Sequence, residues 1–164
     1  MENYKGILKY AMEMEKQGFT FYKENAVKFS SPTARDLFEK LAAVEMEHYE
    51  FLKEQLSYYE SKNEIKDVTV DIDKENNLFN TRFEREQLGE TMMESLTPEL
   101  TILRMAYLIE KDFAEFYRSM SDRATEANAK KLFYVLATWE EGHEELFKAE
   151  YDRRMEEFIN GQWG

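Results

Sequence analysis

Two stretches of the chain repeat at a fixed offset of 95 residues, and this constrains the fold more than any other feature. AMEMEKQGFTFY (11–22) aligns without a gap on AYLIEKDFAEFY (106–117), sharing Ala, Glu-Lys and Phe-Tyr. At the same offset ARDLFEKLAAVEMEH (34–48) aligns on AKKLFYVLATWEEGH (129–143), sharing Ala, Leu-Phe, Leu, Ala, Glu and His. Because the offset holds across both segments, the two halves have equal element and loop lengths. That pattern predicts a helix pair facing a related pair across a pseudo-two-fold.

The period within each segment is helical. Tyr4, Leu8, Ala11, Glu15, Gly18, Tyr22, Asn25 and Phe29 recur at spacings of 4 and 3, an amphipathic stripe. Ser31 and Pro32 read as the N-cap and first residue of a second helix, with Leu37, Leu41, Val44, His48, Leu52 and Leu56 on its stripe. The period is lost over 61–80, and 82–93 reads as a short helix within a crossover. Thr97 and Pro98 are predicted to open a third helix bearing Leu103, Ala106, Phe113, Tyr117 and Met120. After a turn near Thr125 a fourth helix runs to a stop at Asn160–Gly161. The expected architecture is all-α: a single four-helix-bundle domain over 1–164, with hairpins at about 3–60 and 98–160 and a crossover at about 61–97.

Composition excludes several functions. The chain has no cysteine, so disulfides, thiolate metal sites and cysteine nucleophiles are ruled out. A formal net charge of −12 argues against a nucleic-acid partner. No apolar run approaches membrane-spanning length, and the start MENYKGILKY lacks a signal-peptide core, so a cytoplasmic location is expected.

The acidic residues gain meaning from the repeat. Glutamates are abundant, and one taken alone reads as a solvated helix face, as Glu13, Glu47, Glu50, Asp112, Glu115, Glu141, Glu144 and Glu145 do. The alignment singles out Glu15 with Glu110, Glu45 with Glu140, and His48 with His143, the only two histidines. Glu47 aligns with Gly142, so the shared element is Glu-x-x-His, whose ends share one helix face. Glu15 and Glu45 both lie ~22 Å from their turn at ~1.5 Å per residue, and Glu110 and Glu140 are placed alike. Four carboxylates and two imidazoles can therefore share one layer.

Unpaired, such a layer would cost several kcal/mol per carboxylate. Two divalent ions balance its four negative charges, and imidazole with carboxylate suits iron or manganese. This ligand set is the general pattern of di-iron and di-manganese helical bundles, with one Glu from each of two helices and Glu-x-x-His from each of the other two. Tyr22 and Tyr117 lean toward the glutamates and are candidate hydrogen-bond donors to them. Trp139 reads as core. Gly18 aligns with Phe113, which suggests room for a small oxidant on the Gly18 side and a seal at Phe113.

These motifs, Glu15…Tyr22, Glu45-x-x-His48, Glu110…Tyr117 and Glu140-x-x-His143, resemble the rubrerythrin-like branch of the ferritin-like superfamily over roughly residues 5–155. The resemblance implies a di-iron carboxylate bundle that reduces H2O2 or O2 as a homodimer or larger assembly. It also implies iron ligation by the six acids and histidines, with Glu45 and Glu140 or Glu15 and Glu110 bridging. Rubrerythrins proper carry a Cys-rich rubredoxin-like domain; this cysteine-free chain implies a separate electron donor such as a rubredoxin-like protein. Phe113 stands where many relatives place a further glutamate, which makes the set more like a bacterioferritin ferroxidase centre. The alternatives are a ferroxidase, a manganese catalase and a metal-stabilised interaction module; in place of two Fe, the metals could be two Mn, or Zn as purified.

Overall fold

The computed structural model describes residues 3–69 and 96–163, and these hold four helices and no strand. They are α1 (Tyr4–Ala26), α2 (Pro32–Lys62), α3 (Leu96–Arg123) and α4 (Ala127–Trp163). The short helix expected over 82–93 lies outside the described residues.

Helix ends follow side-chain chemistry. The Asn3 side chain accepts from the Gly6 N–H at 3.0 Å to open α1. Ser31 caps α2, accepting from the Ala34 N–H at 3.4 Å, with Pro32 as first helical residue. Asn63 closes α2 at φ 57°, a left-handed conformation that asparagine tolerates better than most residues. Two expected boundaries move. α3 starts at Leu96, so Thr97 and Pro98 fall inside its first turn, where a proline's missing N–H leaves no intrahelical bond unmade. α4 continues through Gly161 to Trp163, because one helical glycine costs only about 1 kcal/mol relative to alanine.

α1 packs along α2, α3 along α4, and α1 also touches α3. The α1 stripe is buried as predicted from Tyr4 to Asn25. On α2 the buried face centres on Leu41, Glu45, His48 and Leu52, whereas Val44 and Leu56 are only partly covered. The apolar interior forms two clusters. One contains Leu8, Leu52, Phe113 and Leu136, and the other Phe29, Leu41, Leu103 and Phe147. Between them, on every helix, falls the layer of glutamates and histidines.

Hydrogen bonds at the two ends fix the relation between the hairpins. The Ser30 N–H and hydroxyl both donate to Glu99, each at 3.2 Å, placing the start of α3 beside the α1–α2 turn. At the other end the Ile65 N–H donates to Glu126 at 3.1 Å, and the Asn128 side chain donates to the Ile65 carbonyl at 3.0 Å. The end of α2 and the start of α3 therefore lie at opposite ends of the bundle, as a long crossover requires.

A buried ion network was not foreseen. Arg154 is 1% exposed and donates to Glu150 at 2.6 Å and to Glu99 at 2.7 Å. The positions related to Glu99 and Arg154 by the 95-residue offset are Tyr4 and Tyr59. Those two rings pack edge to face with centroids 6.0 Å apart. The same place in each hairpin is thus filled by an ion pair in one and an aromatic pair in the other.

Candidate metal centre

Each helix delivers one carboxylate to the middle of the bundle: Glu15 from α1, Glu45 from α2, Glu110 from α3 and Glu140 from α4. His48 and His143 follow Glu45 and Glu140 by one turn. None of the six is more than 2% exposed, because each continues a stripe whose neighbours form the apolar clusters.

The ligating atoms gather into two groups, each within 4.8 Å: Glu15, Glu45, His48 and Glu140, and Glu45, Glu110, Glu140 and His143. Glu45 and Glu140 belong to both. His48 Nδ1 lies 3.0 Å from Glu140 and 3.4 Å from Glu15. His143 Nδ1 lies 3.5 Å from Glu140, 3.6 Å from Glu110 and 3.9 Å from Glu45. The imidazole rings are nearly parallel, with centroids 6.4 Å apart.

The two tyrosines reach across between hairpins. The Tyr22 hydroxyl donates to Glu110 at 2.5 Å, and the Tyr117 hydroxyl donates to Glu15 at 2.6 Å. The sequence placed each tyrosine near the glutamates, and the antiparallel run of α1 and α3 brings it level with the carboxylate of the other helix. Burial, then the negative glutamates, hold both hydroxyls protonated well above the usual tyrosine range.

The four carboxylates divide by environment. Burial pushes Glu45 and Glu140 well above the ordinary carboxylate range, and the charges of the surrounding glutamates push them further. Burial also opposes ionisation of Glu15 and Glu110, but there it is outweighed. His48 with hydrogen bonding does this for Glu15, and hydrogen bonding with His143 for Glu110, so both fall below the usual range.

Buried acceptors remain without donors. One oxygen of Glu15, both of Glu45, one of Glu110 and one of Glu140 accept no hydrogen bond. Isolated from water, such atoms cost several kcal/mol unless a cation meets them. An oxygen-rich set with two imidazoles has the chemistry to hold divalent iron or manganese; Glu15, His48, Glu110 and His143 each belong to one group, and Glu45 and Glu140 to both.

The expected opening beside Gly18 is not there. A Cβ at Gly18 would lie 3.1 Å from the Phe113 ring and 3.3 Å from a Glu45 oxygen. Phe113 thus fills the space the glycine leaves, because the two positions face each other across the α1–α3 contact. The carboxylates read as solvent-facing are exposed except Glu141 and Glu144, which are half-buried; Glu141 pairs with Arg118 at 2.7 Å.

Trp139 has a closer relation to the layer than its sequence context showed. Its indole stacks on His48, with centroids 5.0 Å apart and planes 8° from parallel. The signal available was a break in the repeat, since the aligned residue is Val44.

Fold and layer together define a ferritin-like four-helix bundle whose interior carries a carboxylate–histidine cluster of the di-metal type. The chain belongs to the rubrerythrin family, whose model matches residues 6–151. Among solved structures, a hypothetical protein from Pyrococcus furiosus shares the fold with a TM-score of 0.68. It is 21% identical, over 94% of this chain and 91% of that one. No curated protein matches the sequence. Among the described residues no helix is long and apolar enough to cross a membrane.

Proposed function

We propose that the protein is a di-iron carboxylate oxidoreductase that reduces hydrogen peroxide or O2 with electrons from a separate one-electron donor. The observation that carries this reading is the pair of four-residue clusters sharing Glu45 and Glu140. In this reading Glu45 and Glu140 would be held in common by two ions. Glu15 and His48 would complete one ion, Glu110 and His143 the other. Bound there, two redox-active ions would supply the two electrons that, with two protons, turn one peroxide into two waters.

The chain's own residues perform the remaining work. Tyr22 and Tyr117 hold Glu110 and Glu15 by short hydrogen bonds, fixing which oxygen faces the interior. The apolar clusters on either side exclude bulk water, which strengthens the interaction of carboxylates with cations. Glu45 and Glu140 surrender their protons when cations enter, leaving a neutral ensemble of four carboxylates and two divalent charges.

The test is elemental analysis of purified protein followed by peroxide consumption. Two iron ions per chain, with loss of both metal and peroxide turnover in Glu45→Ala/Glu140→Ala, are expected. Wild-type metal content in that double variant overturns the assignment. Two manganese ions with oxygen evolved from peroxide would instead make the protein a catalase.

A further inference from the structure

We infer that Trp139 is the electron relay of this site, carrying single electrons between a surface-bound donor and the His48 side of the metal layer. The inference rests on the metal reading above and adds the route by which electrons reach it.

Three observations carry it. The indole lies flat on the His48 imidazole at 5.0 Å, so the two π systems are in direct contact. Trp139 retains 8% exposure, whereas Tyr22 and Tyr117, the aromatics bonded to the layer, retain none. An electron entering through Trp139 therefore crosses one ring between solvent and a layer histidine. The third is asymmetry: the aligned position is Val44, and simple core filling needs no indole there.

The chemistry favours tryptophan over the tyrosines. A tyrosine gives up an electron readily only with its hydroxyl proton, and the protons of Tyr22 and Tyr117 hold Glu110 and Glu15 in place. An indole can lose an electron and keep its Nε1 proton. In one cycle Trp139 loses one electron to the site and regains one from a small one-electron donor. No bond forms or breaks, the donor is oxidised by one electron and the site reduced by one.

Without a donor the oxidised indole has no source of return. Water then adds at a ring carbon of the oxidised indole, releasing one further electron and two protons; with the electron already lost, these reduce one peroxide to two waters, and Trp139 keeps one oxygen atom. Phe51, packed edge to face on Trp139 at 6.3 Å, cannot relieve it, because a phenyl ring is far harder to oxidise.

The experiment uses the full chain loaded with iron, carrying Trp163→Phe so that Trp139 is the one indole of the two that remains. Peroxide is added with and without ascorbate as one-electron donor. Peptide mass spectrometry, freeze-quench electron paramagnetic resonance and the rate of iron re-reduction are measured. The expected result is an oxygen adduct on Trp139 and an indole radical signal, both suppressed by ascorbate. Trp139→Phe, which keeps an aromatic stack on His48, is expected to bind the same iron, show no indole radical and be re-reduced several-fold more slowly. Peroxide consumption with an unmarked Trp139 and wild-type re-reduction in Trp139→Phe overturns the relay and leaves the metal site standing. Absence of iron binding or of peroxide consumption removes the site reading and the relay with it. Loss of iron in Trp139→Phe together with an unmarked wild-type indole assigns the ring to holding His48, and also overturns the relay.

Discussion

The hydroxyl of Tyr22, on the first helix, donates to the carboxylate of Glu110, on the third, at 2.5 Å in the interior of the bundle. Tyr117 makes the reciprocal bond to Glu15. These two bonds join the hairpins at the level of the polar layer, so the groups that orient the carboxylates also tie the two halves together.

Tyr22→Phe should leave the fold intact and lower metal affinity roughly 10–100-fold, the usual cost of removing a group that orients a ligand. Tyr117→Phe should behave alike. Metal titration followed by competition with a chelator reads the change; unaltered affinity would mean the hydroxyls do not position the carboxylates.

Shared and unshared carboxylates should separate by stoichiometry. Glu15→Ala or Glu110→Ala removes a residue from one cluster and should leave one ion per chain tightly held. Glu45→Ala or Glu140→Ala strikes both clusters and should weaken both ions. Elemental analysis after dialysis distinguishes the two patterns.

The metal-free and metal-bound proteins should respond oppositely to pH. Glu45 and Glu140 are raised in the folded metal-free chain, so the folded state binds more protons than the unfolded one. Their contribution to stability is complete below the unfolded carboxylate value of about 4.3 and is lost as pH rises through the folded values. Glu15 and Glu110 are lowered; their contribution is present above that unfolded value and lost only as pH falls through their own folded values. Bound cations replace the protons on Glu45 and Glu140, so the gain in Tm on adding metal should grow as pH rises above the unfolded carboxylate value and through the raised folded ones. Scanning calorimetry with and without chelator measures it.

Removing Arg154 should be severe, since it leaves Glu99 and Glu150 buried and less well paired. Arg154→Ala is expected to cost about 3–5 kcal/mol in urea unfolding. The Tyr4–Tyr59 contact shows what the aligned place accepts, so Glu99→Tyr/Arg154→Tyr should lose less than the single change.

The sequence made the layer legible because metal-type chemistry and helical periodicity coincide at Glu15, Glu45, Glu110 and Glu140, and the repeat isolates them from their acidic neighbours. It left open which pair is shared, because sharing depends on how the hairpins rotate against each other. The repeat also misled at Gly18 and Phe113, where aligned residues were read as opposite sides of the site although they touch. Glu99 and Arg154 were missed because alignment registers likeness, and the place they occupy is filled in the first hairpin by unlike chemistry. Trp139 carried a signal only as a mismatch, and its contact with His48 comes from the opposite hairpin.

The meeting of Phe113 with Gly18 bears on how the halves choose each other. Reciprocal bonds such as Tyr22–Glu110 and Tyr117–Glu15 have the form of an isologous interface, in which a half could as well pair with a copy of itself. The ring and the hollow remove that freedom. Two first hairpins would set glycine against glycine and leave a void; two second hairpins would drive phenylalanine into phenylalanine. The halves are lock and key to one another, so a first hairpin accepts a second hairpin and refuses another first one.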